Sequence, residues 1–243
     1  MVGAEDDSLD TDNGVKANFD QLLIVQRGSA SDTLLEQDSG SSSDNPRTNV
    51  RINNATLISD SANGQFGLNI RGGSDFTLLN SLIWDFGGDL DGTFTSGGTT
   101  YQSGCIEVRG TSLNGTTGAD EAGPVVFNSV ALDCATDFAN FGNTQANVEA
   151  RFDAGAGNDK AFNNTLTRLS GVTAGAPFIN GANENGYTPI FDAAGVSSFF
   201  STRAYIGAVT SEAMNWAEGW TCNSAVVVLG SNNTGNCDSL PTP

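Results

Sequence analysis

Apolar positions recur along this chain in runs of four or five, broken every few residues by Gly, Asn, Asp, Ser and Thr. Little of it holds the 3.6-residue spacing of an amphipathic helix, so the pattern predicts short strands and turns. One motif repeats: an Asn, a small residue, then an apolar stretch. It reads Asn54-Ala55-Thr56-Leu57-Ile58, Asn80-Ser81-Leu82-Ile83-Trp84 and Asn128-Ser129-Val130-Ala131-Leu132, with a degraded copy at Asn164-Thr165-Leu166-Thr167. Gln21-Leu22-Leu23-Ile24-Val25 is an earlier version without the Asn. A second motif interleaves with the first: Leu68-Asn69-Ile70-Arg71-Gly72, Ile106-Glu107-Val108-Arg109-Gly110 and Val148-Glu149-Ala150-Arg151, with Leu35-Glu36-Gln37-Asp38 as an earlier member.

Successive copies of the first motif lie 33, 26, 48 and 36 residues apart. That irregularity excludes a strict short-period repeat. It suits an all-β solenoid whose parallel strands keep their place while the loops between them vary. Period-two alternation then turns Leu68, Ile70, Ile106, Val108, Val148 and Ala150 inward. It turns Asn69, Glu107 and Glu149 outward, together with Arg71, Arg109 and Arg151. The Asn that opens each first motif has two readings: a ladder of hydrogen-bonded amides at an inner corner, or a strand start after a turn. The pattern fades near residue 171. The expected organisation is a solenoid over residues 1–171 with a long loop at 86–104, and a non-repeating, aromatic-rich capping segment over 172–243.

That closing segment carries a resemblance. Ala204-Tyr205-Ile206-Gly207-Ala208-Val209, then Trp216, then Glu218-Gly219-Trp220-Thr221, is similar to the C-terminal end of a group of bacterial surface and lipoprotein-like β-helix proteins. The stretch from Asp10 to Val25, an acidic turn before an apolar strand, resembles theirs as well. The resemblance implies a right-handed parallel β-helix exported by a Gram-negative bacterium. It implies no catalytic residues.

Composition narrows the chemistry. Of 243 residues, 28 are acidic and 10 basic, giving a net charge of −18, and His is absent. Such a chain repels nucleic acid, which needs basic side chains to displace counterions. Without His, the His-ligated zinc types and the Ser-His-Asp and Cys-His nucleophile systems fall away. The four Cys form no CxxC pair, so two disulfides are expected, most simply Cys105–Cys134 and Cys222–Cys237. Disulfides belong to an oxidising compartment. The acidic start has no basic and apolar leader, so a processed secreted chain is expected, extracellular or on the outer-membrane surface. No apolar run is long enough to span a membrane.

Candidate sites follow from the outward positions. Arg71, Arg109 and Arg151, with Glu107 and Glu149 between them, form either a ladder of surface ion pairs or a cationic stripe that grips carboxylates or sugar hydroxyls. The ladder is the simpler reading. Tyr101 with Phe94 on the 86–104 loop offers a sugar-stacking platform, unless Phe94 tucks the loop onto the wall. Asp6, Asp7, Asp10 and Asp12 before Asn13-Gly14 are a candidate calcium turn, although the EF-hand spacing is not matched.

The expected function is a non-catalytic secreted or cell-surface module with a structural, adhesive or assembly role. A polysaccharide lyase or hydrolase acting on acidic glycans is the alternative. The polar residues before Asn18 leave the first coil without an evident cover. Self-association, or a partner chain stacked on that end, is therefore expected.

Overall fold

The computed structural model describes residues 1–28, 31–41, 43–60, 64–115 and 123–231. The strands alternate between two sheets as the chain proceeds. The short strands β1 (Leu9–Thr11), β3 (Leu35–Gln37), β5 (Phe66–Ile70) and β9 (Gly104–Val108) form one parallel sheet in that order. The long strands β2 (Lys16–Val25), β4 (Asn49–Ser59), β6 (Asp75–Asp85) and β10 (Val126–Asp133) form a second parallel sheet, ordered β10-β6-β4-β2. A hairpin of β7 (Thr93–Ser96) and β8 (Thr99–Gln102) is antiparallel, turning on Gly97-Gly98 with both φ values positive.

This layout corrects the expected fold class. Two four-stranded parallel sheets, one antiparallel pair and short helices make an α/β-type arrangement rather than an all-β solenoid or β-helix. The expected run of coils to residue 171 ends at Asp133, and no described residue beyond it belongs to a strand. Where the third copy of the second motif was to form a strand, the chain makes helix α1 (Gln145–Asp153). Thr144 caps it by accepting the Asn147 N–H at 3.2 Å. Val148 and Phe152, four apart, share one helix face and are fully buried, whereas Ala150 is exposed. Gln, Ala, Glu and Arg favour helix, and the cap starts it, so local preference outweighs a three-residue resemblance to a strand.

The core lies between the sheets. Leu35, Leu68, Ile70, Ile106 and Val108 from the short strands meet Val50, Ile52, Leu57, Phe76, Leu78 and Phe127 from the long ones, all essentially inaccessible to solvent. Burying each such side chain contributes roughly 1.5–3 kcal/mol. A disulfide joins Cys105 to Cys134, their Cα atoms 6.4 Å apart. Cys222 is not a free thiol. Cys237 lies outside the described residues.

Each long strand bends midway. Gln21, Asn54, Asn80 and Ser129 have φ of 61°, 54°, 48° and 54°, and the register on either side aligns them in one column. Asn tolerates this left-handed conformation better than most residues. The bend resets the alternation. After it, Ile24, Leu57, Ile83 and Leu132 point into the core, while Leu23, Val25, Ile58, Leu82 and Ala131 face outward into further apolar clusters. Phe178, Ile179, Ile206, Ala208 and Val209 cover that outer face. Strands buried on both faces read as continuous apolar runs, which accounts for the stretch after each leading residue.

The leading residues fasten this cover. Gln21 Nε2 donates to Ala208 O (3.0 Å), and Asn54 Nδ2 to Tyr205 O (2.8 Å) and Gly207 O (3.2 Å). Asn80 Oδ1 accepts the Phe191 N–H at 2.9 Å, and its Nδ2 reaches Asn53 Oδ1 at 2.8 Å. Neither a continuous ladder nor a plain strand start describes them. In the fourth strand the column position belongs to Ser129, one residue after the Asn128 of the motif.

The segment after residue 171 therefore lies along the side of the long sheet, not across its end. At the other end, Val2 bridges Val25 and the Met1 amino group donates to Leu23 O at 2.6 Å. That covers the second half of β2. The first half of β2 and all of β1 remain outermost in their sheets. No helix among the described residues is long and apolar enough to cross a membrane.

Candidate functional site

The outer face of the short sheet gathers ionisable groups in register. Asp10, Glu36, Asn69 and Glu107 stand opposite one another on β1, β3, β5 and β9. Neighbouring strands in such a sheet lie about 4.8 Å apart. Two positions further on come Asp38, Arg71 and Arg109. Arg71 pairs with Glu36 and places its Nε 2.8 Å from Asp38 Oδ2. Asn69 Nδ2 donates to Glu36 Oε2 at 3.2 Å. Asp7 reaches the same carboxyl and itself accepts the Thr33 N–H at 3.0 Å. Burial raises the Glu36 carboxyl first, and the hydrogen bond and like charge of Asp7 add to it. Arg71 opposes them, and the net result is a rise to about 7.

Glu107 is more enclosed. Its side chain is 0% exposed, and its Oε2 accepts the Phe141 N–H at 3.2 Å. Arg109 Nε lies 3.8 Å from Oε1, and the guanidinium sits 4.4 Å from the Phe141 ring centroid and 5.3 Å from that of Phe66. Burial pushes the carboxyl up to about 8, against the pull of Arg109 and the Phe141 N–H. At neutral pH this acid keeps its proton.

Four rings close over this end of the face. Tyr101 meets Phe141 at 4.8 Å between centroids, Phe94 meets Phe66 at 5.4 Å and Phe141 at 5.4 Å, and Phe94 stacks on Tyr101 at 5.6 Å. Phe94 thereby tucks the β7–β8 hairpin against the body, and Tyr101 is half-buried in the same cluster.

The three-arginine stripe reduces to two. Arg151 lies on α1, beside a shallow cavity of about 270 Å³ shared with Leu113, Asn114 and Asn147. Glu149 bonds Lys160 at 2.7 Å, as does Asp153 at 2.8 Å. Nearby, Asp137 is raised to about 6 by burial, with Lys160 opposing.

The acidic turn divides as well. Asp6 and Asp7 join Asp32, their ligand atoms within 4.8 Å of one another. Asp10 faces Glu36, and Asp12 is exposed outside the group. Calcium takes about six to eight oxygens. Three carboxylates, one already engaged by Thr33, assign no metal by themselves. Asp85, before the acidic run at 87–92, accepts the backbone N–H groups of Gly88, Asp89 and Leu90 at 3.1–3.2 Å, so it caps a turn.

Sequence reasoning did not single out Glu36, Asp32, Phe66 or Phe141 as site residues. Glu36 was legible as the earliest copy of the second motif. The other three belong to no motif. Comparison with known protein families, curated proteins and solved structures found no match.

Proposed function

We propose that this chain is a non-catalytic module of an extracellular or outer-membrane surface, with a structural or adhesive role. The observation that carries this reading is the mutual engagement of the ionisable groups on the short sheet, closed over at the Glu107 end, still half-exposed at Arg71 and exposed at Asp10. Glu107 is sealed beneath Arg109 and Phe141, and Glu36 is held by Arg71, Asn69 and Asp7. A sealed Glu107 is unavailable to a substrate, and Glu36 is occupied by its neighbours. The Cys105–Cys134 bridge, buried at Cys105 and half-buried at Cys134, supports an oxidising compartment. The alternative, a hydrolase or lyase acting on acidic glycans, has one point in its favour: a Glu36 carboxyl near 7 is poised to give up a proton at neutral pH. Incubation with uronic-acid and neutral polysaccharides, with and without calcium, separates the two. No new reducing or unsaturated ends are expected. Turnover that Glu36→Gln abolishes would establish the enzyme instead.

A further inference from the structure

Before their bends, the long strands have an outer face that the C-terminal segment covers in part: residues 193–203 pack over Asp20, Asn53 and Leu79, and a row further from the bend is left partly exposed. Two adjoining troughs of about 300 Å³ and 160 Å³ cross it, and both are lined by Asn49 and Arg51. One outward row runs Asn18, Arg51, Thr77, Val126 in register across all four strands. With a strand spacing of about 4.8 Å, that row is roughly 14 Å long. Phe191 and Val196 form the far wall.

Arg51 is the unusual member. The other described arginines, Arg151 apart, each engage a carboxylate or a backbone carbonyl. Arg51 is half-buried in β4 between the inward Val50 and Ile52, and among the described residues its guanidinium has no hydrogen bond or ion pair. Its planar fork suits a carboxylate bidentately, which a bare ammonium cannot match. Around it, the amides of Asn18 and Asn49 and the Thr77 hydroxyl offer donors and acceptors for sugar hydroxyls, Lys16 adds a second cation in the smaller trough, and Phe191 offers an apolar face. The Asp75 carboxylate in the wall of the larger trough is buried, and Asn128 Oδ1 already accepts the Ala156 N–H.

We propose that this trough binds a uronic-acid-containing glycan laid across the strands, with one carboxylate on Arg51. The proposal rests on the adhesive reading above and gives it a surface. The test is calorimetric titration of the full chain with a short oligouronate, a neutral oligosaccharide of the same linkage, and sodium acetate. Products are analysed after each run. The wild type is expected to bind the oligouronate, and the neutral sugar at least about tenfold more weakly, the worth of one good charge-assisted contact. Arg51→Gln should lose at least the same factor. Arg151→Gln, which removes the other unmatched guanidinium on a different surface, should leave affinity unchanged. Circular dichroism checks that each variant is folded. Absence of oligouronate binding, equal binding of the neutral sugar or of acetate, or an unaffected Arg51→Gln would overturn the proposal while leaving the non-catalytic reading intact. Cleavage of the bound oligouronate would overturn that reading and not the trough.

Discussion

Glu107→Gln tests the covered face most directly. Folding obliges this carboxyl, whose ordinary value is 4.5, to hold a proton up to about 8, whereas the unfolded chain releases it. Between those values the native state binds more protons than the unfolded one, so stability falls as pH rises and levels off above about 8. At about 1.36 kcal/mol per pH unit, the loss between pH 5 and pH 8 is about 3 kcal/mol. Gln keeps the shape, can still accept the Phe141 N–H, and carries no charge at any pH. The variant should match the wild type closely at pH 5 and exceed it by about 3 kcal/mol at pH 8, or roughly 6–12 °C in Tm for a chain of this size. Glu36, raised to about 7, adds a slope of its own below that pH, and the substitution leaves it in place. Urea unfolding followed by fluorescence at a series of pH values measures the difference. A variant whose stability falls between pH 5 and pH 8 as steeply as the wild type, or one less stable at pH 8, would refute the argument that burial holds this proton.

Asn54→Ala should cost about 2–3 kcal/mol, since it removes two bonds to Tyr205 and Gly207 and places Ala at φ 54°. Asn54→Gly should recover the backbone part alone, and faster amide exchange over 205–209 should accompany both. Replacing Cys105 and Cys134 together with Ala opens a loop of sequence separation 29, with an expected loss of about 3–4 kcal/mol in denaturant unfolding. Thr144→Ala removes the α1 cap and should cost about 1 kcal/mol. An unchanged midpoint there would mean that the buried Val148 and Phe152 hold the helix without it.

Where the sequence was legible, local periodicity and burial agreed. Leu68, Ile70, Ile106 and Val108 alternate along their strands and point into the core as alternation requires. The same reasoning failed at Val148, because three matching residues cannot tell a strand from a helix turn. There the cap at Thr144 and the four-residue spacing to Phe152 decide the structure. The leading Asn residues show a different limit. Their recurrence marks a structural position, but the partners of Asn54 are Tyr205 and Gly207, more than 150 positions away. Nothing near Asn54 says whether its amide faces a neighbouring strand or a distant segment.

The candidate site was legible as a set of residue types but not as an environment. Glu107 and Arg109 read from alternation as outward, and outward was equated with solvated. On that premise their pairing would contribute little and shift nothing, as exposed ion pairs do. The premise fails because a strand's outer face is exposed only until another part of the chain lies on it. Phe141, 34 residues after Glu107, and the ring of Phe94 on the hairpin that precedes β9 supply that cover. Alternation fixes which way a side chain points, while burial, which sets whether Glu107 keeps its proton, depends on where loops of unrelated sequence come to rest. Arg51 shows the converse. It went unremarked in the sequence, and among the described residues the C-terminal segment that packs over the neighbouring part of its sheet reaches only as far as Phe191 and Val196 at this trough and leaves Arg51 half-exposed. The two arginines thus differ in what the fold places over them, Arg109 beneath two rings and Arg51 in an open trough.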